Sequence, residues 1–102
     1  MAEGLRLFRS GRYFEAHDAW EALWHEVGDP QREWLQGLIQ VAVARHHLAR
    51  GRASSAAYLL GRAELHRRRG GQPRVGIALA ALIRQAARDV GRLTARRGAA
   101  GS

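Results

Sequence analysis

The segment at residues 34–49, WLQGLIQVAVARHHLA, constrains the fold more than any other part of this 102-residue chain. Placed on a helix at about 100° per residue, its apolar side chains cover nearly every face. A helix that is apolar all round is usually buried by its neighbours. The segment therefore predicts a central helix in an all-α protein, with the other helices packed around it.

Glycine and proline residues divide the rest of the chain into further helical stretches, and no run alternates apolar and polar residues as a strand does. We expect about five helices, over residues 3–9, 13–27, 30–49, 53–68 and 75–94. The loop between the second and third is short, which favours antiparallel neighbours. The predicted fold is a compact antiparallel helical array that forms a single domain over residues 1–97, with a disordered tail at 98–102.

Two segments are weakly alike, LFRSGRYFEAH at residues 7–17 and HLARGRASSAA at residues 47–57. Each contains the end of a helix, then Gly-Arg, then the start of another helix, at an offset of 40 residues. The arrangement resembles the helix–turn–helix pairs of tetratricopeptide-like repeats. Two units are too few for a solenoid, so the likeness predicts local architecture only.

The basic residues are all arginine, and they are unevenly distributed. Residues 1–50 carry six arginines and seven acids, whereas residues 51–102 carry eleven arginines and two acids. A basic half can bind a polyanion, but an all-arginine composition also indicates the coding bias of a GC-rich genome. Aromatic residues that could stack on bases do not interleave with the C-terminal arginines. We therefore do not expect a nucleic-acid partner.

Cysteine is absent, which excludes disulfides, thiolate metal ligands and a cysteine nucleophile. The sequence shows no signal-peptide pattern and no apolar run long enough to span a bilayer. We expect a cytoplasmic protein without a membrane partner. The small size and the amphipathic fifth helix favour a homodimer, and a protein partner is a further expectation.

The second helix carries polar residues on its aromatic side. His17 and Glu21 are spaced i, i+4 and share one sector of the helix with Phe14, Trp20 and Trp24. The sector is about 120° wide when residues are placed at 100° intervals. This pattern predicts that an imidazole and a carboxylate meet on an inward face.

The third helix repeats this pattern, because Gln36, Gln40 and His47 follow one stripe. If the two helices are antiparallel, these side chains converge with His17 and Glu21 in a buried cluster. A buried carboxylate requires a partner, since an unpaired one is strongly disfavoured. Glu15 joins the predicted cluster if the start of the second helix bends inward, and Gly37 would let another helix approach closely.

The stretches GRYFEAHDAWEALW, LQGLIQVAVARHHLARG and AAYLLGRAELHR closely resemble the domain of unknown function 309 family of bacteria and archaea. Residues 13–17, 21, 24, 36–40 and 47 match its signature, and Asp18 stands where glutamate is usual. The resemblance covers about residues 5–65 and is weaker in the fifth helix. It implies an all-helical fold, and some members carry a metal-dependent hydrolase label, but it brings no settled activity.

Three interpretations of function remain open. Two of them concern the cluster of Glu15, His17, Glu21, Gln36, Gln40 and His47. The first is a buried hydrogen-bonded network that fixes helix register, without chemistry. The second is a divalent metal site of a hydrolase-like enzyme with His17, Glu21 and His47 as ligands, which would suit Zn, Mn or Fe. The first interpretation requires no cofactor, whereas the second requires a divalent metal ion.

The third interpretation is a protein-interaction module, in which aromatic side chains line a groove. The candidates are Trp20, Trp24, Trp34 and Tyr58. Trp34 lies near a helix start, so we expect it to be partly exposed and its removal to weaken partner binding without unfolding the protein. His66, in LHRRR, is expected to be solvated.

Overall fold

The structure, a computed structural model, describes residues 1–70 and 77–101. Within these residues the chain forms five helices and no strand. They are α1 (Ala2–Arg9), α2 (Tyr13–Trp24), α3 (Gln31–Ala49), α4 (Ala53–Arg69) and α5 (Leu79–Gly101). The predicted all-α array of helices is confirmed.

The central position of α3 is also confirmed. It packs against α2, α4 and α5, and eight of its residues are buried. The buried set includes Trp34, Leu38 and Val41. The hydrophobic core extends from these residues to Leu7 of α1, Trp20 of α2, Leu60 of α4 and Ile83 of α5, among others.

Side-chain contacts near the helix ends show the direction of each helix. Phe14 at the start of α2 lies against His46 at the end of α3, and Trp24 at the end of α2 lies against Arg32 near the start of α3. Helices α2 and α3 are therefore antiparallel. Glu33 near the start of α3 contacts His66 near the end of α4, so this pair is antiparallel too.

Helix α5 runs parallel to α3. Near its start, Leu79 packs against Gly37 of α3. Further along, Asp89 binds Arg45, and Arg97 donates a hydrogen bond to the carbonyl oxygen of Gly51, just beyond the end of α3. This direction brings the second half of α5 to the turn between α3 and α4.

The two similar segments in the sequence form the same turn. Gly11 and Gly51 both adopt positive φ, at 82° and 76°. The following arginine amide donates to a carbonyl five residues earlier in each case, Arg12 to Leu7 and Arg52 to His47, at 2.9 Å. This is the Schellman pattern, which requires a left-handed residue after the helix and therefore favours glycine.

Several predicted boundaries differ from the structure. Helix α2 ends at Trp24 instead of residue 27. Helix α5 begins at Leu79 and continues through Gly101, so it includes residues predicted to belong to a disordered tail. The predicted helix start at residue 75 and most of the predicted break at residues 70–73 lie outside the described residues.

The predicted close approach at Gly37 is confirmed. A Cβ atom at this position would lie 3.1 Å from the carbonyl oxygen of Ala63 in α4 and 3.1 Å from Cδ2 of Leu79 in α5. These distances are tighter than ordinary van der Waals contacts, so a side chain at this position would force its neighbours to shift. The contact sets the spacing of α3 and α4, which form the floor and one wall of a cleft between α2, α3 and α4.

Candidate functional site

A cleft of about 510 Å³ opens between α2, α3 and α4. Four of the six predicted site residues line it. These four are His17, Glu21, Gln36 and Gln40. The other lining residues are Trp24, Asp29, Arg32, Glu33, Ile39, Val43, Arg62 and His66.

His17 and Glu21 meet on α2 as their spacing predicts. Nε2 of His17 lies 2.8 Å from Oε2 of Glu21, and Nδ1 lies 3.2 Å from Oδ1 of Asp18. Both nitrogens of the imidazole therefore face a carboxylate. The pairing holds the ring in one orientation at the wall of the cleft.

The prediction that this cluster is buried is wrong. The side chain of His17 is 21% exposed and that of Glu21 is 50% exposed, and no polar or charged residue is fully buried within the described residues. Helix α2 buries Ala16 and Trp20, each one position before a residue of the pair. Trp20 lies at one edge of the predicted sector, so the packed face is rotated by about 80° towards that edge, which leaves the His17 and Glu21 stripe at the edge of the core.

Gln36 and Gln40 lie one turn apart on α3 and are half-buried. Within residues 1–70 and 77–101, neither amide group forms a hydrogen bond with another protein group. Ile39 and Val43 lie beside them in the cleft. The floor therefore combines apolar surface with two groups that can each donate and accept hydrogen bonds.

Glu15 and His47 do not join the cluster. Glu15 is exposed and pairs with Arg12 at the start of α2. His47 lines a different depression, with Ser54, Ser55, Tyr58 and Leu59. His47 follows the same stripe as Gln40, but seven residues of helix separate the two by about 10 Å.

The predicted ligand set of His17, Glu21 and His47 is consequently not assembled. In the part of the chain that the structure describes, no group of three His, Asp or Glu side chains is arranged to hold a metal ion. The side chains of His17 and Glu21 lie together, whereas His47 lines a separate depression further along α3.

A second histidine–carboxylate pair, which was not predicted from the sequence, lines the cleft. Nδ1 of His66 on α4 lies 2.7 Å from Oε2 of Glu33 on α3, and their side chains are 12% and 33% exposed. The expectation that His66 is solvated is wrong. The sequence does carry a signal for its position, because His66 continues the buried stripe of Ala56, Leu60 and Ala63 by three more residues.

Trp24 and Arg32 form the rim of the cleft near the loop between α2 and α3. The guanidinium of Arg32 lies 4.3 Å from the ring centroid of Trp24, and its Nε donates to the carbonyl oxygen of Val27 at 3.1 Å. This cation–π contact orders the two side chains. Asp29 and Arg62 complete the rim, so the cleft holds three carboxylates and two guanidinium groups in all.

The predicted aromatic groove is not present among the described residues. Trp20 and Trp34 are buried in the core, at 1% and 4% exposure. Trp24 lines the cleft, and Tyr58 is exposed on a different surface. Trp34 was expected to be partly exposed, but Gly70 packs against its backbone and covers the helix start.

The sequence profile of the family described as Domain of unknown function (DUF309) matches residues 1–59. The chain belongs to this family. The DUF309 match includes α1, α2, α3 and the start of α4, so His17, Glu21, Gln36 and Gln40 lie inside it. Arg62 and His66 lie beyond the matched residues.

The solved structure of a conserved hypothetical protein from Thermus thermophilus is similar to this DUF309 protein. The two are 33% identical, with a TM-score of 0.75 over 88% of this chain and 94% of that chain. No protein of curated function matches the chain. No helix among the described residues is both long enough and apolar enough to cross a membrane.

Proposed function

We propose that the cleft between α2, α3 and α4 binds a small polar molecule and that His17 exchanges a proton with it. The observation that carries the proposal is the His17–Glu21 pair, at 2.8 Å, in the wall of a cleft whose floor presents two amide groups. A volume of about 510 Å³ is within the range of small-molecule sites.

The exposure of Glu21 favours a ligand site over a structural network. A network that fixes helix register needs buried, fully satisfied groups, and half of the Glu21 side chain is exposed. An exposed pair at i, i+4 contributes only about 0.3–0.5 kcal/mol to stability. Such a pair adds little to the fold, whereas it suits a group that must contact a ligand.

A carboxylate that holds one imidazole nitrogen orients the ring, and general acid–base catalysis then uses the other nitrogen. In His17 the Glu21 contact at 2.8 Å holds Nε2, and a molecule that exchanges a proton takes the place of the exposed Asp18 at Nδ1, where the contact is longer, at 3.2 Å. His66 and Glu33 repeat the pair in the same cleft. Nδ1 of His66 is held by Glu33 and its Nε2 is buried, so this second pair shapes the wall of the cleft and leaves the proton transfer to His17. The cleft therefore suits proton-transfer chemistry, including hydrolysis, on the bound molecule.

The floor indicates what kind of molecule fits. Gln36 and Gln40 can form paired hydrogen bonds to a group that both donates and accepts, such as a carboxamide or the edge of a heterocycle. Trp24, Ile39 and Val43 offer apolar contact to the rest of the molecule. We propose a neutral or weakly cationic ligand, because carboxylates outnumber guanidinium groups in the cleft.

Saturation-transfer NMR against a library of small carboxamides, heterocycles and sugars tests this function. Ligands should receive saturation from the wild-type protein and not from Gln36→Leu/Gln40→Leu. This double substitution removes the two amide groups from the floor and keeps a similar side-chain volume. His47→Gln is the matched control, since His47 lies outside the cleft. Binding that survives the double substitution, or that is lost only in the control, would contradict the proposal.

A bound molecule then permits a test of the proton transfer. His17→Gln should retain binding but stop any turnover of that molecule, because glutamine keeps polarity and cannot serve as a base near neutral pH. Glu21→Gln should reduce turnover less than His17→Gln, since its role is to orient the ring. Equal turnover in the wild type, His17→Gln and Glu21→Gln would contradict the proposed proton transfer by His17.

A further inference from the structure

We propose that the end of the molecule at the α3–α4 turn binds single-stranded nucleic acid. The surface consists of five exposed arginines and the exposed side chain of Tyr58, which follows Arg52 by six residues on α4. The arginine cluster is Arg50, Arg52, Arg92, Arg96 and Arg97. The proposal is independent of the cleft, which lies towards the other end of α3.

The fold gathers arginines that are distant in the sequence. Because α5 runs parallel to α3, its second half reaches the turn that joins α3 to α4. Arg97 donates a hydrogen bond to the carbonyl oxygen of Gly51, which lies between Arg50 and Arg52. Arg92 and Arg96 line a depression of about 270 Å³ next to Leu48, two residues before Arg50.

The positive charge of the cluster is only weakly compensated. Asp89 is the carboxylate in the depression beside Arg92 and Arg96. It already accepts hydrogen bonds from Arg45 at 2.5 Å and from Arg92 at 3.3 Å. Its pKa is lowered chiefly by the bond from Arg45, so it stays ionised and committed to its own partners.

Nearby groups respond to this field. The pKa of His46 is lowered, first by burial and then by the positive charges of Arg50, His47 and Arg52. Positive charge concentrated on one end of a small protein attracts a polyanion and speeds its association. A phosphate backbone is the polyanion that such arginines bind most readily.

Tyr58 provides an exposed aromatic ring, which the arginines alone do not. Its side chain is 66% exposed, and it lines a depression of about 440 Å³ with His47, Ser54 and Ser55. His47 lies one helical turn before Arg50, and Ser54 follows Arg52 by two residues. Positive charge together with an exposed aromatic ring is the combination with which proteins bind single strands, since an unpaired base can stack on the ring.

Phe14 lies next to this surface. Its side chain is 53% exposed, and its ring centroid is 5.2 Å from that of His46. The sequence separates these aromatic residues from the arginines of α5, so the order of residues alone does not indicate a nucleic-acid partner. The tertiary structure places them at the same end of the molecule.

Fluorescence anisotropy of labelled single strands of about 20 nucleotides, oligo(dT) and oligo(U), tests the proposal with the full chain. We expect binding at about 50 mM salt that weakens steeply towards about 200 mM. Tyr58→Ser should reduce affinity for single strands by about tenfold, because it removes base stacking. A duplex of equal length should bind less tightly, since its bases are already stacked.

A matched pair of arginine variants separates this surface from general basicity. Arg50→Ser/Arg52→Ser should lower the slope of log affinity against log salt by about 1.4, the value for two lost phosphate contacts on a single strand. Arg68→Ser/Arg69→Ser removes the same charge at the opposite end of α4, about 24 Å away. This control should leave the slope unchanged.

Any of the following results would overturn the proposal. The first is no anisotropy change at about 50 mM salt. The second is equal affinity for duplex and single strand, and the third is an unchanged affinity in Tyr58→Ser. The fourth is equal loss in the two arginine variants, or equal competition by polyglutamate at the same charge, which would assign the surface to any acidic polymer.

Discussion

His66 and Glu33 lie 33 residues apart in the sequence, and their side chains meet at 2.7 Å across the contact between α4 and α3. His17 and Glu21 form the equivalent pair within one helix, at 2.8 Å. The two pairs face the same cleft but differ in burial. Glu33 is 33% exposed and Glu21 is 50% exposed.

The difference in burial predicts different effects on stability. Glu33→Ala should lower the free energy of unfolding by about 1–2 kcal/mol, because it leaves His66 half-buried without its partner. Glu21→Ala should change it by about 0.5 kcal/mol or less, as for an exposed helical pair. Urea denaturation at neutral pH measures both variants. Equal losses would show that the pair between helices adds nothing beyond a surface contact.

Gly37 and Gly61 should respond in opposite directions to alanine. Gly37→Ala places a Cβ atom 3.1 Å from the backbone carbonyl oxygen of Ala63, so the neighbouring atoms must shift by a few tenths of an ångström. We expect a loss of about 1–3 kcal/mol and a lower Tm by calorimetry. Gly61→Ala meets no atom within 4 Å on the exposed face of α4, and its better helix propensity should stabilise by up to about 1 kcal/mol. An equal Tm for both would contradict the close packing at Gly37.

Glu64 should make stability depend on pH in the acid range. A side-chain hydrogen bond from Arg67, together with one from Arg68, lowers the pKa of Glu64 to about 2. Because this folded-state value lies below that of the unfolded chain, the stabilisation is complete above about pH 4.5 and is lost as pH falls towards about 2. Glu64→Gln should therefore lose of order 1 kcal/mol at neutral pH, allowing for solvent screening.

Urea denaturation of wild type and Glu64→Gln from neutral pH to about pH 2 measures this dependence. The two curves should converge at the acid end. Glu26→Gln is the control, because Glu26 is exposed and forms no ion pair within the described residues. A gap between wild type and Glu64→Gln that stays constant with pH would exclude the charge of Glu64 as its cause.

Substitutions of Trp34 and Tyr58 should differ in their effect on stability, because Trp34 lies in the core and Tyr58 lies on the surface. Trp34→Ala should destabilise by about 3–5 kcal/mol, since the side chain is 4% exposed and its removal leaves a large cavity. Tyr58→Ala should change stability by about 0.5 kcal/mol or less, because the ring is 66% exposed. Thermal unfolding by circular dichroism measures both. A well-folded Trp34→Ala with an unchanged Tm would restore the sequence-based expectation of an exposed interface residue.

Local patterns predicted the fold well because helices depend on nearby residues. The apolar residues of α3 predicted its central position, and Gly11 and Gly51 predicted two turns of the same geometry. Gly37 predicted a close helix contact. Each of these features depends on periodicity, on a left-handed turn or on the lack of a side chain, and all three are visible within a few residues.

The candidate site was predicted in part for the same reason. The i, i+4 spacing of His17 and Glu21 and of Gln36 and Gln40 predicted which side chains share a helix face. It did not predict how far each helix is rotated, so the cluster was expected inside the core instead of at the edge of a cleft. Rotation is set by which residues pack best, here Ala16 and Trp20 on α2.

The sequence by itself determined the helices, their turns and the polar stripes that α2 and α3 carry. Only the tertiary structure decided that His66 completes the cleft with Glu33, that His47 lies outside it, and that α5 brings Arg97 to the α3–α4 turn. The physical reason is that helix formation depends on residues within one or two turns, whereas these groupings depend on the direction and spacing of packed helices. Buried apolar side chains set that spacing, and the polar residues at the site follow it.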